Sequence, residues 1–273
     1  MKNLRSRGLT LIELIVVVAI LAVLAMIIIP KLDGLTANAN HAAASASVSD
    51  TGRYIQTWKA MKTTSYPDGW DSLTDGTSVW NTVDVANKTK GLHTTFGGGT
   101  TGKFTASTLS ATDIAGLVAI GVATMYDVDK TVTNKRPGDM FTIRRSLSSG
   151  GTGSVPAVIV NAGSTAGVNI INHFYRDNAK KGTSGVFYDA SGAAVPDSAP
   201  RKLLALGLGP MNDIVGKLTQ EAPSYANVDS SLVYNRNIAL FEVGGSRAVF
   251  KGVVATDGDL LDDLTTYMNK DIQ

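Results

Sequence analysis

One carboxylate, Glu13, lies inside the most apolar part of the chain. Residues 9–29 are all apolar except Thr10 and Glu13. An ionised carboxylate in a membrane costs at least about 2.5 kcal/mol on insertion scales, so a residue of this kind normally has a task. The alternative is that Glu13 reaches the membrane interface and does nothing there. Glu13 is therefore the first candidate functional residue.

Four aspartates near the C-terminal end form a second candidate site, because calcium prefers several oxygen ligands in a tight loop. They are Asp257, Asp259, Asp262 and Asp263. Their spacing lacks the EF-hand pattern and its final glutamate. Asp259 also suits the N-cap of an amphipathic helix over residues 260–268. We therefore expect no metal or cofactor, with calcium at these aspartates as the alternative.

Two other patterns resemble catalytic or nucleotide sites but lack the necessary context. Residues 97–103, GGGTTGK, match most of a P-loop, yet Phe104 stands where Ser or Thr would bind magnesium. The three histidines are far apart and show no metal-binding spacing: they are His41, His93 and His173. No catalytic residue is assigned, and we do not expect an enzyme.

The N-terminal region has the length and charge of a membrane anchor. Residues 9–29 would span about 31 Å as a helix, close to the roughly 30 Å of a bilayer core. Lys2, Arg5 and Arg7 precede this run, which predicts a cytoplasmic N-terminus and a head outside. The chain has a formal net charge of +2, and these three residues contribute +3, so the rest of the chain has a net charge of −1. This charge balance gives no indication that the protein binds nucleic acid. The chain has no cysteine, which excludes disulfides and thiol chemistry.

This region is compatible with three interpretations. A conventional signal peptide would be cleaved after Ala39, where residues 37–39 read A-N-A, but its apolar run would be unusually long. An uncleaved anchor would belong to a membrane-bound periplasmic enzyme or binding protein. Neither of these explains Glu13.

Residues 7–14, RGLTLIEL, resemble the N-terminal signal of type IV pilins and type II secretion pseudopilins. The resemblance implies that prepilin peptidase cuts between Gly8 and Leu9 and N-methylates Leu9. Glu13 then becomes the fifth residue of the mature chain, which is the acidic position of that family. Leu9 departs from the family's commonest residue, Phe.

The same resemblance implies an assembly role for Glu13. In the family this carboxylate meets the N-terminal amine of a neighbouring subunit, which here is the amine of Leu9. The expected function is a structural subunit of a filament, either a type IV pilus or a secretion pseudopilus. The implied partners are prepilin peptidase, identical or related subunits and an inner-membrane assembly platform driven by an ATPase. The implied location is the bacterial inner membrane, followed by the filament.

The predicted organisation is a leader, one long helix and a head. Residues 1–8 form the leader, and residues 9–62 form the helix, with 9–29 transmembrane and 30–62 as a stalk. Six alanines between residues 37 and 46 favour helix, and apolar residues between 48 and 61 form one stripe. Pro30 and Gly34 are expected to weaken or kink it. Residues 63–273 form the head.

The head is predicted to be α+β with an antiparallel sheet packed on the stalk. Ser110 and Asp113 match a capping box that begins a helix. Further short helices are predicted over 201–206 and 211–218. The predicted strands are 141–145, 155–160, 168–175 and 186–188, with a hairpin of 238–243 and 248–254.

Overall fold

One helix, α1, accounts for the N-terminal part of the computed structural model and spans Leu11–Met61. The structure describes residues 11–63, 65–80, 90–93, 102–132, 134–148, 154–174, 179–181, 187–189, 202–225 and 230–260. The structure thus has an N-terminal helix within the range 9–62 for which one was predicted, while the division into a transmembrane part and a stalk stays a prediction. The helix continues through Pro30 and Gly34, and the kink expected there stays a prediction.

The rest of the described chain forms a mixed sheet with two short helices. The larger sheet comprises eight strands. They are β1 (Trp70–Asp71), β2 (Phe104–Leu109), β3 (Thr124–Val128), β4 (Phe141–Ser146), β5 (Val155–Val160), β8 (Lys202–Gly207), β9 (Ile238–Val243) and β10 (Val249–Val254). A separate pair is formed by β6 (Ala179–Lys181) and β7 (Phe187–Asp189). The helices are α2 (Ala111–Val118) and α3 (Thr165–Phe174), and a 3-10 turn covers Pro137–Asp139.

The sheet branches at β8. One edge of β8 pairs antiparallel with β9, which in turn pairs with β10. The other edge pairs with β5 at Leu204 and Ala205, and with β1 at Gly207. β5 leads to β2, whereas β1 leads through a parallel pairing to β3 and then to β4. The predicted antiparallel sheet is thus a mixed sheet, because β1 and β3 run parallel.

The central strands are buried on both faces and separate two hydrophobic clusters. Leu204 and Leu206 of β8 point into the cluster that contains α1 and α2. Leu203 and Ala205 point into the opposite cluster, which contains residues of α3. This alternation follows from the two-residue period of a strand. The larger sheet of the head therefore has α1 on one of its faces.

Three predictions of local structure were wrong. Residues 168–175 were predicted as a strand but belong largely to α3, and residues 201–206 were predicted as a helix but form β8. Residues 211–218 form turns instead of a helix. The hairpin, the strands over 141–145 and 155–160 and the capped helix are confirmed. Most of the predicted helix over 260–268 lies outside the described residues.

The membrane prediction has a separate outcome. Among the helical residues that the structure describes, no segment meets the combined length and hydropathy required to cross a membrane.

Candidate functional site

The N-terminal part of α1 is apolar and exposed on every side. Fourteen large apolar side chains between residues 11 and 29 have 47–78% of their surface exposed. Five consecutive members of this set, residues 14–18, are 48–57% exposed. A helix turns once every 3.6 residues, so five consecutive positions point in all directions. We call residues 11–29 the apolar segment.

Glu13 lies in the first turn of this apolar segment, and its side chain is exposed. A carboxylate at this place interacts favourably with the positive end of the helix dipole. The predicted cleavage site, Gly8 and Leu9, lies outside the described residues. The pairing of Glu13 with a Leu9 amine therefore stays a prediction.

The C-terminal part of α1 packs against the head along one stripe. Its buried residues recur at spacings of four and three positions, which is the period of one helical face. They are Ala44, Val48, Thr51, Ile55 and Trp58. We call residues 44–58 the docked segment. The same helix is thus packed on the head at one end and uncovered at the other.

A polar contact fixes where the docked segment lies on the sheet. Asn237, just before β9, is fully buried and its side-chain amide faces α1. Its Nδ2 is 3.1 Å from the Ser47 carbonyl oxygen, 2.9 Å from Ser47 Oγ and 2.8 Å from Thr51 Oγ1. No local sequence pattern indicates Asn237, since it lies 186 residues from Thr51.

Of the four aspartates that form the candidate calcium site, the structure describes Asp257 and Asp259, which lie close together. Asp259 forms an ion pair with Lys103, so its carboxylate is already matched by the ammonium group of a lysine. Burial raises the pKa of Asp257, and the neighbouring carboxylate of Asp259 adds to this effect. Asp262 and Asp263 lie outside the described residues. Within those residues, no three His, Cys, Asp or Glu side chains are placed to hold a metal ion.

The glycine-rich run also leads to a different structure from a P-loop. Lys103 is engaged with Asp259, and Phe104 begins β2 as a fully buried residue. A strand therefore follows the run where a phosphate-binding motif needs a helix. Residues 97–101 lie outside the described part. The histidines stay apart in the fold, since His41 is in α1, His93 follows a bridge and His173 is in α3.

A buried pair of acidic groups, which no local sequence pattern indicates, also lies in the head. Tyr234 donates a hydrogen bond of 2.8 Å to Asp71 Oδ2, and both residues are fully buried. Burial raises the pKa of Asp71 well above its ordinary value, and it likewise raises the pKa of Tyr234. A side chain at Gly209 would clash with the Asp71 carboxylate, so this glycine makes room for the acid. Because both side chains are fully buried, the pair is a feature of the core.

The fold and the site define a class of protein: an α+β head on a long helix whose far end is apolar on all sides. Residues 3–29 match the family model described as the prokaryotic N-terminal methylation motif, which is the signal of type IV pilins and pseudopilins. The motif supports a processed precursor of this kind and implies a substrate of prepilin peptidase. It points to a structural family that is usually not enzymatic. No curated protein and no solved structure matches the chain significantly.

Proposed function

We propose that the chain is a structural subunit of a filament like a type IV pilus or a type II secretion pseudopilus. One observation supports this most directly. The apolar segment is exposed around its whole circumference, while the docked segment of the same helix packs on the head. A helix that is apolar on all sides requires burial in a membrane or among other helices.

The size of the apolar surface argues for an extensive cover. If each of the fourteen exposed side chains recovers about 1 kcal/mol on burial, the total is on the order of 10 kcal/mol. A single contact with another protein would leave most of the circumference in water. The bacterial inner membrane covers the segment before assembly, and the helices of neighbouring copies cover it in the filament. Large exposed apolar patches mark such surfaces.

Glu13 supplies the specificity that apolar contacts lack. Cleavage after Gly8 gives Leu9 a charged amine, and a carboxylate in apolar surroundings is stabilised by an opposite charge. A neighbouring subunit meets this requirement only at one axial position, much as a buried polar residue fixes the register of a coiled coil. The proposed partners are prepilin peptidase, related subunits and the inner-membrane assembly platform with its ATPase. The N-methylation of Leu9 and the assembly of the chain into a filament are both part of this proposal.

The first test determines the mature N-terminus by mass spectrometry of the protein from its native membrane. An N-methylated Leu9 is expected, and Gly8→Val should leave the leader attached because the peptidase cuts after a small residue. An uncleaved Met1 would favour the membrane-bound enzyme or binding protein. A chain that begins at Asn40 would favour the conventional signal peptide.

The second test separates assembly from processing. Glu13→Gln removes the charge with little change in size, so we expect normal cleavage and far fewer filaments by electron microscopy. Asp50→Asn is the matched control, because Asp50 is an exposed carboxylate of the same helix that pairs with Arg53. If Glu13→Gln and Asp50→Asn filaments were equal in number and length, the role of Glu13 would be refuted.

A further inference from the structure

A small polar cleft opens on the head where three parts of the fold meet. It has a volume of about 210 Å³ and lies beside β3 and β4, between the residues before β1 and the turns after β8. Its lining residues are Asp68, Gly69, Thr124, Tyr126, Arg144, Met211 and Asp213. None of them belongs to α1, so the cleft is separate from the proposed assembly surface.

The walls of the cleft are held in place by the backbone. Gly69 has a positive φ of 79°, and a side chain there would clash with the carbonyl oxygen of Met211. Asp213 N donates a hydrogen bond of 3.0 Å to the carbonyl oxygen of Asp68, which ties the two loops together. The cleft is therefore preformed, and a ligand would not have to order it.

Two charged side chains in the cleft keep unused hydrogen-bonding capacity. Asp68 Oδ1 accepts hydrogen bonds from the backbone of Ala123 and Thr124 at 2.9 and 2.7 Å. The structure gives Asp68 Oδ2 no hydrogen bond within the described residues. The Arg144 side chain is exposed and, within the same residues, forms neither an ion pair nor a hydrogen bond. The Asp68 carboxylate, which accepts hydrogen bonds, and the Arg144 guanidinium group, which donates them, thus line the same small cleft.

The charge balance of the cleft favours a neutral ligand. Asp213 is paired with Lys217 at 3.2 Å, so its charge is already matched. Asp68 and Arg144 then contribute one negative and one positive charge. A ligand with a net charge would be attracted by one of these two side chains and repelled by the other.

We propose that this cleft binds one hexose unit of a neutral saccharide. A hydroxyl group both donates and accepts, so neighbouring hydroxyls of one sugar ring can donate to Asp68 and accept from Arg144. Tyr126, which is opposite Arg144 in the β3–β4 register, offers an aromatic ring for the apolar side of the sugar. The volume is below the roughly 300–1,000 Å³ typical of sites for drug-sized ligands, so a single ring fits better than an oligomer.

The test measures saccharide binding to the full chain in phosphocholine detergent, which has no sugar head group to compete. Saturation-transfer NMR would use glucose, galactose and N-acetylglucosamine, with glucuronic acid as a charged probe. A glucose trisaccharide would distinguish a free sugar from the terminal unit of a glycan. Arg144→Gln and Asp68→Asn are the test variants, since the asparagine keeps the oxygen that accepts from Ala123 and Thr124. Arg53→Gln is the control, because Arg53 is an exposed arginine outside the cleft.

We expect saturable binding of at least one neutral sugar that weakens about tenfold or more in both test variants and stays unchanged in the control. The trisaccharide should compete for the same site. The proposal would be overturned if no neutral saccharide binds, if only glucuronic acid binds, or if either Arg144→Gln or Asp68→Asn binds as well as the unaltered chain. Filament formation is measured separately, so failure here leaves the proposed function standing.

Discussion

Replacement of Asn237 by alanine should weaken the packing of α1 on the head without changing the structure of α1 or of the head. The Asn237 amide lies within 3.1 Å of three oxygen atoms of Ser47 and Thr51 in the docked segment. An amide nitrogen has two hydrogens, so at most two full hydrogen bonds exist at once. At about 1 kcal/mol each, their loss costs about 2 kcal/mol.

The substitution should not add a large further loss of stability from buried polar groups that lose their hydrogen-bond partners. Thr51 Oγ1 also donates a hydrogen bond of 2.7 Å to the Ser47 carbonyl oxygen, so both groups keep a partner after the substitution. Within the part of the chain that the structure describes, the buried Asn237 Oδ1 has no hydrogen bond, and alanine removes that unfavourable atom. The expected loss of stability therefore stays at about 2 kcal/mol, without a large correction for unpaired polar groups.

Two measurements on the full chain in detergent check this prediction. Urea unfolding followed by tryptophan fluorescence gives the change in stability, because Trp58 lies in the docked segment and Trp70 lies in the sheet. The absence of cysteine lets two spin labels be placed freely, one on α1 at Ser49 and one on the head. Asn237→Ala should broaden the distance distribution between them.

A matched control and a double-mutant cycle separate the contact from general damage. Asn235→Ala removes another buried asparagine, which lies two positions from Asn237, and should leave the label distances unchanged. Thr51→Val should cost about 1 kcal/mol, with a coupling of similar size to Asn237→Ala. Zero coupling, together with unchanged label distances in Asn237→Ala, would refute the reasoning.

Two further predictions concern the head. Asp71 is favoured in its neutral form, so its contribution to stability is complete below its ordinary pKa of 3.8 and is lost as pH rises toward the raised pKa of the folded state. Asp71→Asn should therefore flatten the fall in the urea midpoint above about pH 4, and an unaltered pH profile would contradict this. Ser110→Ala removes the cap that accepts from Asp113 N and should lower stability by about 1 kcal/mol, as measured by urea unfolding. Thr112→Ala, at an exposed position of the same helix, should cost less, and equal losses would argue against the cap.

Features that depend on neighbouring residues in the sequence were predictable. The methylation motif is a contiguous pattern, and it is confirmed by the match over residues 3–29. The capping box of α2 forms as expected, with both of its hydrogen bonds present. The hairpin of β9 and β10 was likewise recognised from two apolar runs around Gly244 and Gly245. Each of these is a local arrangement with its own sequence signal.

Short apolar runs were the main source of error. The run from Lys202 to Gly207 becomes a strand because β9 and β5 lie on both sides of it. Residues 168–174 are rich in strand-forming types, yet they form α3 behind Ser164, whose Oγ accepts from Gly167 N at 3.0 Å. Periodicity alone does not distinguish a buried strand from a buried helix of this length. The cap at Ser164 was the signal that could have corrected the second error.

The sequence by itself determined the N-terminal signal, the long helix and the presence of a mixed head, because each depends on composition or spacing within a continuous stretch. Only the tertiary structure decided which residues of α1 are covered, how β8 branches the sheet and that Asn237 meets Thr51. The same is true of the cleft, where Asp68, Arg144 and Asp213 come from three distant parts of the chain. These pairings follow from how the sheet folds back on α1, and no local pattern records which distant partner a side chain will meet.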